Sequence, residues 1–192
     1  MKLPHCFTSR LLTLMSAFIL SAVTVAKAEG DPGAPALKAL CEKLGAAVVA
    51  GDVATAAAIT KGLLPGEDSV GKALSPAVPP EAKVKVLAFH AKLPRDDASL
   101  ARLISVKPGQ TVVQVHASSV KDLAAYAPDS VAFAEFPGGA QTLAKNGVLN
   151  PDVVFYTVEF LEPGKDAGMK YHLFYWDGGA WRMLGPIWRA LQ

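Results

Sequence analysis

Disulfide chemistry is the first thing this chain lacks. It has two cysteines. Cys6 falls in an apolar N-terminal leader, so Cys41 stands alone in the remainder and no intramolecular disulfide can form there. Cys41 lies inside an apolar helical pattern and is expected to be a small core residue. No H-x-x-x-H or C-x-x-C spacing is present, and His90, His116 and His172 lie far apart, so no metal or other cofactor is expected. Blocks of like charge are missing too, which argues against a nucleic-acid partner. No uncharged apolar run after Val25 approaches the roughly 20 residues of a membrane-spanning helix. There is no internal repeat. No G-x-S-x-G surrounds Ser118-Ser119, although His116 is near, so a serine nucleophile is unsupported.

One motif is nearly present. Gly66-Glu67-Asp68-Ser69-Val70-Gly71-Lys72-Ala73 matches most of a phosphate-binding loop. Ala73 replaces the hydroxyl that would hold magnesium, and the preceding segment is helical rather than a strand, so the match is read as coincidence.

What is there begins at the N-terminus. Lys2 and Arg10 precede fifteen uncharged, mostly apolar residues, Leu11 to Val25, and Ala26-Lys27-Ala28 offers small residues at the cleavage positions. Residues 1–28 thus read as a secretory signal peptide, and the protein as periplasmic or secreted, touching a membrane only before cleavage. The apolar run is too short for a spanning anchor. Removal of these 28 residues from 192 leaves 164, enough for one domain with a proper core. Three basic residues and no acid leave with the leader, so a net charge of +2 becomes −1.

Residues 29–36 are Gly/Pro-rich and read as a flexible start to a single domain over 37–192. Leu37, Leu40, Cys41, Leu44, Ala47 and Val48 form one stripe of a helix ending at Ala50. Asp52 can cap a second helix, Val53 to Leu63, making a helical hairpin across Gly51-Asp52. A third helix runs from Pro80 to about Leu93, with Val84, Leu87, Ala88 and Ala91 on its apolar face and His90 partly exposed. Asp96 or Asp97 caps a short helix through Ile104. The period then shortens. Strands are expected over 110–118, 130–136, 152–161, 169–176 and 181–184, with short helices over 120–127 and 141–145.

Gly178-Gly179 reads as a two-residue hairpin loop with positive φ at both positions. Trp176 then faces Trp181, Tyr175 faces Arg182 and Phe174 faces Met183. Strict alternation puts His172, Phe174, Trp176, Trp181 and Met183 on one face, and Tyr171, Leu173, Tyr175, Arg182 and Leu184 on the other. In the preceding strand Val154, Tyr156, Val158 and Phe160 oppose Val153, Phe155, Thr157 and Glu159. Both faces are too apolar for either to be bare. They need the N-terminal helices on one side and, on the other, further chain such as the Ile187-Trp188-Leu191 tail, a second subunit or a ligand. Tyr175 beside Arg182 could form an exposed cation–π pair.

Helices joined at "AGD", then an antiparallel sheet closing in "YHLFYWDGGAWRML", resemble the ketosteroid-isomerase-like (nuclear-transport-factor-2-like) α+β cone superfamily over most of the exported chain. The extra helices between residues 66 and 104 depart from its plainest form. The resemblance implies helices packed on a curved antiparallel sheet, a pocket between them and often a homodimer through the sheet, but no particular function.

The resulting expectation is an exported α+β domain that binds a small apolar ligand or a partner protein without catalysis. Trp176, Trp181, Phe174 and Tyr156 are the candidate ligand-binding residues. The alternatives are a small hydrolase or isomerase with His172 or Glu159 as general base, and an envelope protein dimerising through its sheet. Glu159 is expected at the rim, with Glu135 of lesser interest, and His116 on a solvated strand face beside Gln114 and Ser118.

Overall fold

The computed structural model describes residues 30–191, so the leader read over 1–28 lies outside the described residues. Helices pack on an open, four-stranded antiparallel sheet, the expected α+β class, and the sheet does not close into a barrel. Among the described residues no helix is long and apolar enough to cross a membrane.

The first helix, α1 (Ala34–Ala50), buries Leu37, Cys41, Leu44 and Ala47 along the expected stripe. Burial pushes the Cys41 thiol up to about 12, which keeps it protonated and unreactive. The helix starts earlier than the periodicity placed it, because Pro35 suits a first turn. Asp31, just before it, is buried and accepts hydrogen bonds from Gly33 N–H at 2.7 Å and from the Tyr156 hydroxyl at 2.7 Å. The expected hairpin follows: α2 (Val53–Leu63) starts on Asp52, whose carboxylate accepts from Thr55 N–H at 3.0 Å.

Three further helices come before the sheet. They are α3 (Glu67–Ala73), α4 (Pro80–Ala91) and α5 (Asp97–Leu100), the last capped by Asp96. In α4 the buried face is not the expected one. Val84 is 63% exposed, whereas Val86 and His90 are buried. The helix carries apolar residues nearly all round, so periodicity alone picked the wrong stripe.

Strand β1 (Val112–Ser119) leads through the Ser119 cap into α6 (Val120–Ala125). The strand expected over 130–136 is instead a helix, α7 (Val131–Glu135). Ser130 accepts from Phe133 N–H and starts it, and Phe133 lies 52% exposed. A short apolar run fits either period, and here a capping serine decides. After α8 (Gly138–Lys145) come β2 (Val154–Leu161), β3 (Met169–Trp176), β4 (Trp181–Met183) and a single 3-10 turn, Ile187–Arg189. The strands run β1-β2-β3-β4 across the sheet.

The expected hairpin register holds: Phe174 pairs with Met183, Tyr175 with Arg182 and Trp176 with Trp181. Only Gly178 has positive φ, at 93°, so one special position suffices for this turn. The Tyr175–Arg182 pair is not an exposed cation–π contact. Tyr175 is fully buried and donates to the Ser69 carbonyl, while Arg182 turns to Asp177 at 2.7 Å and to the Gly62 carbonyl.

Each face of the sheet has its own core. Val113, Val154, Tyr156, Val158, Phe160, Phe174, Trp181 and Met183 pack with α1, α2 and residues 100–106. Phe155, Leu173, Tyr175 and Leu184 pack on the other side with α3, α4, α6, α7, α8 and Ile187. The same chain therefore covers much of both faces, and Trp188 and Leu191 of the tail join the second core.

Asp177 ties the hairpin to α3. Its carboxylate accepts from the Ser69 hydroxyl and Arg182 at 2.7 Å, and from the N–H groups of Gly179 and Ala180. Burial pushes its pKa up, but Arg182, Ser69 and the two N–H groups outweigh that and hold it well below the ordinary carboxylate range. Replacing Asp177 with Ala leaves the partly buried Arg182 guanidinium and the Ser69 hydroxyl without this partner and is expected to cost about 2 kcal/mol in urea denaturation. A group with a depressed folded pKa stabilises fully above its unfolded value of about 3.9 and loses that effect as pH falls through the folded value. The wild type should therefore lose stability below about pH 4 more steeply than Asp177→Asn. Equal slopes would contradict the assignment.

Candidate functional site

His172 does not lie where strict alternation puts it. Tyr156 pairs with Phe174 and Val158 with Tyr171, so one residue of β2 opposes two of β3. This is a β-bulge, and Leu173 takes it up with φ 60°. Tyr171 consequently joins the Phe160 side, its ring 6.1 Å from that of Phe160. His172 turns away from Phe174 and Trp176 to the opposite side, with Nδ1 3.1 Å from the Thr157 hydroxyl.

A cavity of about 490 Å³ opens beside His172. It lies where β4 stops. Leu184 N–H makes a last bond to the Leu173 carbonyl, and beyond it Met169–His172 have no strand partner on that side among the described residues. Phe89, Leu93, Leu103, Tyr171 and Trp188 form most of an apolar wall, with Lys170 and His172 beside them and Arg189 exposed at the margin. Trp188 sits 6.5 Å from His172, centre to centre. The Tyr171 hydroxyl accepts from Ser105 N–H and donates to the Ser105 carbonyl, tying the chain after α5 to this edge.

His90 also borders the cavity and is buried, not partly exposed as expected. Its Nδ1 lies 3.0 Å from the Val86 carbonyl and its Nε2 3.1 Å from the Leu184 carbonyl, so it holds the end of β4 against α4. Burial lowers its pKa, against the raising effect of these carbonyls.

Behind Lys170 lies a polar cluster. Strand register builds it, because His116 faces Thr157 on one side of β2 and Glu159 faces Lys170 on the other. Helix α7 brings Glu135 above them. Lys170 Nζ is 2.7 Å from Glu135 Oε2 and 3.6 Å from Glu159 Oε2. Glu159 is 2% exposed, so it is a buried charge and not the expected rim residue. Its Oε1 accepts from Gly168 N–H at 2.6 Å. A side chain at 168 would collide with the Phe160 carbonyl oxygen, so this approach needs glycine. His116 is not on a solvated face either: its side chain is 25% exposed, and its Nε2 is buried without a hydrogen-bond partner, 3.7 Å from Glu135 Oε2.

The four aromatic residues expected to bind a ligand are core instead. Tyr156, Phe174 and Trp181 are buried and Trp176 packs against them, with Tyr156–Trp181 and Trp176–Trp181 ring centres 5.2 and 5.6 Å apart. None lines the cavity beside His172. Burial and the Asp31 carboxylate raise the Tyr156 pKa, so its hydroxyl stays a donor. Lys170, Tyr171, Phe89 and Leu103 line the cavity and were missed by sequence reasoning. Trp188 was noted only as a possible cover. Its position in a Pro186-terminated tail was the one usable signal.

Chemically, Glu159 has Oε1 bound to Gly168 and Oε2 facing Lys170, so it is poorly placed to take a proton from a ligand. Burial, with help from the Lys170 charge and against the pull of Glu135, lowers His172 to about 4, so its imidazole is neutral near pH 7. With Nδ1 at Thr157, Nε2 is the nitrogen without a protein partner among the described residues. No model of a known family, no curated protein and no solved structure matches this chain.

A base whose folded pKa lies below its unfolded value binds fewer protons folded than unfolded between the two. Stability should therefore rise with pH between about 4 and the unfolded value of about 6.5. An NMR titration should find the His172 ring neutral down to about pH 4. His172→Gln should flatten the stability profile in that window. A ring that titrates near 6.5 would refute the buried, neutral assignment.

Proposed function

We propose that this chain is an exported binding domain that holds a small, largely apolar ligand in the cavity beside His172 and does not transform it. The observation that carries this reading is the cavity: about 490 Å³, walled mainly by aromatic and aliphatic side chains, with few polar groups. Export rests on the leader read from residues 1–28. The bound species would lay its apolar body along Phe89, Leu93, Leu103 and Trp188. His172 Nε2 would meet a polar group on it, and Arg189 favours an anionic end at the rim.

The absence of catalysis is argued from the engaged polar groups. Glu159 is bonded to Gly168 and faces Lys170, and His172 is a weak base when its pKa lies near 4. A pocket between helices and sheet is also what the resemblance to the ketosteroid-isomerase-like cone superfamily implies. We propose that kinship at the level of topology only.

Anilinonaphthalene sulfonate, an apolar fluorophore with one anionic group, is a suitable probe. It should bind with one-to-one stoichiometry. Leu103→Trp, which fills the cavity, should weaken binding about tenfold or more, equivalent to roughly 1.4 kcal/mol. Trp176→Phe, in the first core but not on the cavity wall, should leave it unchanged. Absent binding, or binding indifferent to Leu103→Trp, would overturn the proposal.

A further inference from the structure

The polar cluster behind the cavity holds more than a salt bridge requires. One donor atom from each of His116, Glu135 and Glu159 lies within 4.8 Å of the others. They come from three different elements, β1, α7 and β2, so the backbone presents them from separate directions. Two carboxyl groups share one ammonium, that of Lys170, in a largely buried place. His116 Nε2 is buried and has no hydrogen-bond partner among the described residues, although it sits 3.7 Å from a carboxylate oxygen. An orphaned imidazole nitrogen beside two carboxyl groups is a position suited to a cation.

We propose that His116, Glu135 and Glu159 form a site for a first-row divalent cation, which displaces the Lys170 ammonium. The donor set decides the class. One imidazole with two carboxylates suits Zn²⁺ or Mn²⁺, because magnesium and calcium prefer oxygen ligands alone. Metal–ligand distances near 2.1 Å put tetrahedral donors roughly 3.4 Å apart, so the three atoms must close by about an ångström. Side-chain rotation about Glu135 and His116, neither of which is fully buried, can supply that movement. Lys170 has somewhere to go, since it already lines the adjoining cavity.

Lys170 makes the idea testable in both directions. In an ordinary salt-bridge cluster, removing the lysine only leaves stranded carboxylates. At a metal site it removes the competing cation. Untagged protein would be titrated with Zn²⁺ and with Mn²⁺ by calorimetry, with Mg²⁺ as control. One equivalent of Zn²⁺ or Mn²⁺ should bind and raise the thermal midpoint. His116→Ala and Glu135→Gln should each weaken binding about tenfold or more, and Lys170→Met should tighten it by a similar factor. No saturable binding by the wild type, undiminished binding by His116→Ala, or a folded Lys170→Met that binds no tighter would each overturn the proposal. If Lys170→Met does not fold, the wild-type and His116→Ala comparison decides the question.

Discussion

Between Tyr156 and Val158 of β2 there is one residue, and between their partners on β3, Phe174 and Tyr171, there are two. The rest of the structure depends on that mismatch. A strand buried on both sides cannot tolerate an arbitrary slip, because each one-residue shift exchanges its faces. Here the shift is confined to Leu173, which adopts φ 60° at a cost of about 1 kcal/mol. Its fully buried side chain returns roughly 2 kcal/mol in the second core. The second core therefore holds the bulge in place. It lets Tyr171 and Phe174 share one core while His172 and Leu173 turn to the other side.

One consequence is a division of the second face. Leu173, Tyr175 and Phe155 continue its apolar core, whereas Glu159, Lys170, His116 and Thr157 make a polar patch further along the strands. Such a patch is an expensive way to fill space. Burying an ion pair seldom stabilises more than apolar residues of the same volume, because desolvation offsets the attraction. Glu159 reduces its own cost by taking Gly168 N–H and facing Lys170. His116 Nε2 finds no such partner. A folded chain that keeps an unpartnered imidazole nitrogen next to two carboxyl groups is poorly explained by stability alone.

Much of the local architecture was legible because its causes are local. Asp52 starts α2, as expected, and Ser119 starts α6, each by bonding the N–H three positions ahead. The register of Trp176 against Trp181 follows from a two-glycine turn between them. What could not be read depends on residues far away. The burial of His90 comes from Leu184, 94 positions later, and Tyr156 finds its partner Asp31 125 positions earlier. The bulge has no signature, since leucine is among the residues least expected at positive φ. That single omission placed His172 on the wrong face and left Lys170, its neighbour, unnoticed. The run 130–136 failed for another reason: five apolar-rich residues fit a helical turn or a strand, and only Ser130 distinguishes them.

The cavity has a cause that can be followed along the chain. β4 could in principle run on beside β3 as far as Met169, which would cover the edge that now faces open space. It stops because Gly185 takes φ 63° and Pro186 has no N–H to give to a ladder. Leu184 makes the last bond of the pairing through its N–H, and its carbonyl goes to His90 on α4. The chain then leaves the sheet, and the 3-10 turn Ile187–Arg189 sets Trp188 opposite His172. A strand ended early, a histidine that holds the departing carbonyl and a tail that returns at a distance together leave the volume between them. The same geometry gives the space an apolar wall and puts a neutral imidazole beside it, the two properties on which the proposed binding of a small amphipathic molecule rests.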